Sequence, residues 1–226
     1  MAIDVQDIAI PIDDLGLEGT LAIPKRAVGL VMFAHGSGSS RHSPRNRHVA
    51  TLLNQRGLAT LLFDLLTAEE EQIDAVDATL RFDVDMLSER LVAATDAIIA
   101  GGRTPLPVGY FGGSTGAAAA LIAAARRPAQ IAAVVSRGGR PDLASASLAE
   151  VRAPTLLIVG GADTWVLAAN REAASHMTAP HEIAVVPNAT HLFEEPGTLD
   201  EVARLAGSWF IDHFAHFAPA RVKQAI

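Results

Sequence analysis

The 226-residue sequence contains no cysteine, which excludes disulfides, a thiolate nucleophile and any metal site built on sulfur. Aromatic residues make up 5% of a chain that is half hydrophobic. The core therefore has to be assembled from Ala, Val, Leu and Ile, a composition suited to helices packed on a parallel sheet. Positive charge is also scarce: 18 Lys and Arg stand against 25 Asp and Glu, a formal charge of −7, which argues against a nucleic-acid partner. Arg41, Arg45 and Arg47 come closest to a basic track, and their place at a loop and helix start reads as solvated charge. No apolar stretch has the length and purity of a membrane span. From Ile3 the N-terminus alternates apolar and polar residues, without the basic and apolar regions of a signal peptide. These absences lead us to expect a soluble, cytoplasmic, single domain over residues 1–226, with no metal, cofactor or membrane partner. They leave open whether it is a monomer or a homodimer.

The most informative stretch is Gly112-Gly113-Ser114-Thr115-Gly116. An apolar run, Leu106 to Phe111, leads into it, and the small-residue run Ala117 to Ala125 leaves it. Strand, sharp turn and helix in that order make a Gly-x-Ser-x-Gly sequence a nucleophile elbow, in which the tight turn exposes the serine hydroxyl.

The rest of the chain alternates strand and helix. Val5 to Ile12 and Leu17 to Ile23 read as an opening hairpin around Asp13-Asp14-Leu15-Gly16, with Pro24 closing it. Val28 to Ala34, Leu58 to Phe63, Ile131 to Val135, Thr155 to Val159 and Glu182 to Val186 read as further strands. Ser43-Pro44 predicts an N-cap and first helical residue for a helix to Arg56, stopped by Gly57. Helical spacing from Val84 ends at Gly101-Gly102, and another helix is expected from Val166 to Met177. Between Leu65 and Asp83 the pattern weakens and acidic residues gather, which reads as a loop with one helical turn at most. Thr198 with Glu201 predicts a capping box for a last helix, whose apolar face runs from Val202 to Phe217. The sum is an α/β fold: a mostly parallel sheet of about eight strands with helices on both faces.

A serine at its ordinary pKa is a poor nucleophile, so it needs a base, an acid to orient that base, and donors for the developing oxyanion. Asp163 and His191 follow the ends of two later strands, and Ser114, Asp163 and His191 come in the order nucleophile, acid, base. The backbone N–H groups of Thr115 and of Ser37, within His35-Gly36-Ser37-Gly38, are the expected oxyanion donors. Asp64 and Asp142 are alternative acids, although each also suits a cap or turn. His35 reads as a structural residue of its loop. His42 and His48 lack the carboxylates of a metal set, and His213 and His216 read as packing or surface. Trp165, beside Asp163, reads equally as a pocket wall or as cover for the sheet edge. Arg137 and Arg140 suit either a substrate carboxylate or pairing with nearby acids such as Asp142, with the pairing favoured.

On these residues, together with Thr190-His191-Leu192-Phe193, the chain resembles the α/β-hydrolase superfamily and, within it, small bacterial hydrolases related to dienelactone hydrolase. The resemblance implies an open site with a minimal cap and an esterase acting on small acyl substrates. Where true dienelactone hydrolases use cysteine, this chain has Ser114, so the resemblance implies a serine mechanism. Two other readings share the same residues. One is acyl transfer, thioester or amide hydrolysis, or lyase chemistry on the same triad; the other is a ligand-binding protein on a hydrolase scaffold.

Overall fold

The computed structural model describes residues 2–12, 14–101 and 106–217. Eight strands form one sheet: β1 (Ile3–Ile12), β2 (Leu15–Pro24), β3 (Leu30–Ala34), β4 (Ala59–Phe63), β5 (Val108–Gly113), β6 (Ile131–Arg137), β7 (Thr155–Gly160) and β8 (His181–Val186), in the spatial order β1-β2-β4-β3-β5-β6-β7-β8. β1 and β2 run antiparallel to their neighbours, and every pairing from β4 to β8 is parallel. Every residue of β3 to β7 is buried, because helices cover both faces of the sheet.

Helices α1 (Pro44–Gln55) and α6 (Thr198–Phe214) cover one face, where Val49, Leu53, Phe210 and Phe214 pack on Val31, Phe33 and Phe111. Helices α3 (Val84–Ala100), α4 (Thr115–Arg126) and α5 (Thr164–Ser175) cover the other. In α4 every residue from Thr115 to Ala124 is buried. Only a helix of such small side chains can lie this close to the sheet.

Several expectations need correction. The segment read as a loop holds a ten-residue helix, α2 (Ala68–Asp77), and a short 3-10 turn (Leu80–Phe82). Its start is a complete capping box: Glu70 N–H donates to the Thr67 hydroxyl at 3.2 Å, and Thr67 N–H donates to the Glu70 carboxylate at 2.8 Å. The Thr67-x-x-Glu70 signature was present in the sequence; the acidic run that follows it hid the helix. Conversely, no such box forms at Thr198. Gly197, at φ 81°, is the cap residue, and the Thr198 hydroxyl donates back to the Glu195 carbonyl at 2.7 Å. A 3-10 segment over Pro141–Glu150, buried through Ala144 and Leu148, occupies a stretch with no expected element. The hairpin is tighter than expected, since Ile12 pairs with Leu15 and so places Leu15 and Gly16 in β2. Asp13 and Gly102 lie outside the described residues.

Candidate active site

The elbow forms at the end of β5. Ser114 has φ 51° and ψ −121°, a left-handed conformation that costs energy for a residue with a Cβ and persists only where surrounding structure enforces it. The enforcement comes from the flanking glycines. A Cβ on Gly112 would lie 2.4 Å from the Ala117 Cα, and one on Gly116 would lie 2.2 Å from the Ala34 carbonyl oxygen. Ser114 is tied to the end of β6 and to the loop after it: its N–H donates to the Arg137 carbonyl at 3.3 Å, and its carbonyl accepts from Arg140 N–H at 3.1 Å.

The loop after β7 places Asp163 within 2.7 Å of His191, carboxylate oxygen to Nδ1. Asp163 occupies the cap position of α5 but makes no side-chain capping bond, so its carboxylate serves the imidazole and not the helix. The alternative acids are engaged elsewhere, Asp64 with Arg41 and Asp142 with Arg140. With its Nδ1 proton given to Asp163, His191 keeps the Nε2 lone pair free to accept a proton. No hydrogen bond joins Ser114 to His191, whose ring bonds Asp163 instead; nucleophile–base contacts commonly tighten only in the Michaelis complex. Gly138 lies alongside, where a Cβ would sit 3.7 Å from His191 Cε1 and 3.1 Å from its carbonyl oxygen.

On the β3 side, a Cβ on Gly36 would come within 3.1 Å of Ser114 Cβ, so the His35–Gly38 loop touches the nucleophile. Ser37 N–H donates to the Thr115 hydroxyl oxygen at 2.9 Å. That bond brings both expected oxyanion residues together but occupies the Ser37 N–H, expected to face the oxyanion directly; among the described residues the buried Thr115 hydroxyl proton has no acceptor. His35 is structural, as expected. Its Nε2 accepts from Leu65 N–H at 3.0 Å, joining the ends of β3 and β4, and burial pushes its pKa below the ordinary 6.5.

A cleft of about 530 Å³ opens beside this loop. Ser37, Ser39, Ser40, His42 and Arg45 line one wall, and Glu71 and Arg81 line the other. The second wall is the segment around α2, where the sequence predicts a loop with one helical turn at most. Its residues are held in place by ion pairs: Arg81 Nε lies 2.6 Å from Asp74, and Arg90 of α3 grips Glu70 at 2.5 and 2.7 Å.

The two arginines after β6 have different fates. Arg140 pairs with Asp142 through Nε and Nη2, at 2.9 and 2.7 Å, and its guanidinium lies over the Trp165 ring, 4.7 Å from the centroid. Arg137 is buried beneath the elbow with no carboxylate partner among the described residues. It lies over the Phe193 ring at 5.8 Å and reaches Asn46 at 3.5 Å; a Cβ on Gly113 would be 2.9 Å from its Nη2. Burial, aided by nearby Arg45, lowers its pKa to about 10. The structure thus places Arg137 behind the nucleophile rather than on the rim. Elsewhere, His48 pairs with Asp200 at 2.6 Å, and His213 stacks on Trp209. Among the described residues, no three His, Asp or Glu side chains gather as a metal-holding group, and no helix is long and apolar enough to cross a membrane.

Comparison with known proteins agrees with this fold. The model of the dienelactone hydrolase family matches residues 17–217. A dienelactone hydrolase from Anabaena variabilis ATCC 29413 is 54% identical in sequence and superposes with a TM-score of 0.92, over 94% of this chain and 99% of that one. Est1E from Butyrivibrio proteoclasticus shares the fold at 16% identity, with a TM-score of 0.77 over 92% of this chain and 99% of that one. Two Mycobacterium tuberculosis proteins, provisionally named phosphoribosyl transferases, are 53% identical over 218 residues, which are 96% of this chain and 48% of theirs. The chain thus spans about half the length of these curated relatives. From the family match and the Anabaena relative together, the chain belongs to the dienelactone hydrolase family of α/β hydrolases.

Proposed function

We propose that this chain is a serine hydrolase that cleaves carboxylic esters of small substrates through an acyl-enzyme. The observation that supports this most directly is the 2.7 Å contact between Asp163 and His191, at the same sheet edge as a serine held at φ 51°. In this reading Ser114 Oγ attacks the ester carbonyl carbon while His191 Nε2 takes its proton. The oxyanion that forms accepts from the Thr115 N–H and from the Thr115 hydroxyl, which is itself oriented by the Ser37 N–H. Asp163 holds the imidazole tautomer and stabilises the imidazolium. His191 then protonates the alcohol oxygen as the C–O bond breaks. Water, deprotonated by His191, attacks the acyl-enzyme, and the carboxylic acid leaves with Ser114 restored. The phosphoribosyl transferase name of the mycobacterial relatives belongs to chains twice as long and is not carried over.

The test is labelling with a fluorophosphonate probe, read by intact mass and peptide mapping, beside hydrolysis of short p-nitrophenyl esters. A single adduct on Ser114, with turnover lost in Ser114→Ala and His191→Ala, is the expected result. No adduct and no turnover would overturn the reading and favour a ligand-binding protein on this scaffold.

A further inference from the structure

We propose that Trp165 and Arg140 form a platform for a planar, uncharged aromatic group on the alcohol side of the ester. This deepens the hydrolase reading and rests on it. Strand order sets the layout of the carboxyl edge: the His35–Gly38 loop follows β3, Ser114 follows β5, the Arg137–Arg140 loop follows β6, and Asp163 and Trp165 follow β7. Trp165 therefore stands on the opposite side of the nucleophile from the oxyanion loop. It lies on the first turn of α5 and is 60% exposed, the most exposed aromatic side chain at this edge.

Its position is nevertheless fixed. Arg140 covers one face of the indole, and Asp142 holds the guanidinium. The Arg140 N–H is bonded to the Ser114 carbonyl, and Asn170 of α5 donates to the Gly139 carbonyl at 3.0 Å. A short chain of contacts thus connects the indole to the nucleophile. Leu143, whose N–H donates to the Arg140 carbonyl, and Leu192, next to His191, add exposed apolar surface in the adjoining segments. A rigid aromatic ring with one face open gains by being covered, since that removes apolar area from water.

Charge narrows the class of occupant. Asp142 neutralises Arg140, so the platform has no bare cation for a carboxylate, and an anion placed there would face Asp142 as well. Mechanism narrows the side. The alcohol oxygen has to reach His191 Nε2, which comes from the β7–β8 end of the edge, while the carbonyl oxygen points toward the β3 loop. The leaving alcohol is therefore the part of the substrate that meets Trp165.

Benzyl acetate and cyclohexylmethyl acetate test this, because their alcohols match in size and leaving-group chemistry and differ in planarity. In the full chain, the ratio of kcat/KM for benzyl over cyclohexylmethyl acetate is expected to fall about three- to tenfold in Trp165→Ala, and to be largely restored in Trp165→Phe. An unchanged ratio in Trp165→Ala would overturn the platform. A second arm needs no turnover. In Ser114→Ala, the Trp165 indole N–H resonance, assigned by its loss in Trp165→Phe, is expected to shift with benzyl acetate and to move far less with the cyclohexyl ester. Equal or absent shifts would also overturn the proposal. Fluorophosphonate labelling of Ser114 separates the two ideas: a labelled enzyme with an unchanged ratio defeats the platform alone, and an unlabelled, inactive one defeats the hydrolase reading, leaving the resonance shift to decide the platform.

Discussion

The elbow and the α2 segment flank the His35–Gly38 loop, the elbow touching it at Gly36 and α2 lining the cleft beside it, but they are held by different forces. Around Ser114 the backbone is fixed by contact: Gly112, Gly116 and Gly36 each leave less than about 3.2 Å for a side chain, and everything behind them is buried. Around α2 the structure is held by a cap and by two arginine–carboxylate pairs, while Ile73, Val76 and Phe82 remain exposed. Close packing permits one arrangement and rejects alternatives steeply. Polar contacts such as these, in which Glu70 and Arg81 keep some exposure, depend on pH and salt in a way that packing does not. The elbow that carries the nucleophile is thus rigid, and the α2 wall that shapes the cleft is adjustable.

Substitution can break this contrast at several levels. The largest effect is expected from Ser114→Ala, which should reduce ester turnover by about 10⁴-fold or more with an unchanged melting temperature. Gly116→Ala comes next: its methyl would collide with the Ala34 and His35 carbonyl oxygens at 2.2 and 2.4 Å. A loss of about 3 kcal/mol or more in denaturant unfolding is expected. A loss under about 1 kcal/mol would show that the elbow is softer than its contacts imply. Thr115→Val removes the hydroxyl beside Ser37, and kcat is expected to fall about a hundredfold while Thr115→Ser stays near wild type. Equal activity in Thr115→Val would remove that hydroxyl from the oxyanion site.

The α2 wall should respond more gently. Glu70→Gln weakens both the capping box and the Arg90 pair, and a stability loss of about 1 kcal/mol is expected. The larger consequence there should be a raised KM with kcat preserved, the reverse of the Thr115→Val pattern. Acid titration separates the walls in a further way. His35 titrates below its ordinary 6.5 in the folded chain because of burial, so the unfolded chain binds its proton first. Stability is therefore complete above pH 6.5 and declines as pH falls below it, until the folded-state value is passed. Arg90 holds the Glu70 carboxyl below its ordinary 4.5, so its contribution is present above that pH and declines only under more acid conditions. Unfolding free energies measured across this range should show the upper step vanish in His35→Asn and the lower one shrink in Glu70→Gln.

The same contrast explains what could be read in advance. The buried strands, the alanine-rich α4 and the elbow were legible because each is imposed by local sequence. A continuous apolar run admits a strand covered on both faces, and two glycines flanking a serine admit a turn that other residues would block. The α2 helix was missed because its alternation is weak and its stability comes from Arg90 and Arg81, partners beyond its own sequence. Thr198 misled for the complementary reason: the capping signature is present, but the chain enters α6 through Gly197, so the hydroxyl turns back to Glu195.

By itself the sequence determined the fold class, the elbow and the order Ser114, Asp163, His191, since these follow from periodicity, glycine placement and strand ends. Only the tertiary structure decided which acid meets the histidine, that Arg137 is buried over Phe193 near Asn46, and that Trp165 lies under the Arg140 guanidinium. Those outcomes depend on residues 25 to 91 positions apart, from Arg140 with Trp165 to Arg137 with Asn46, reaching within a few ångströms, and no local pattern encodes such a distance.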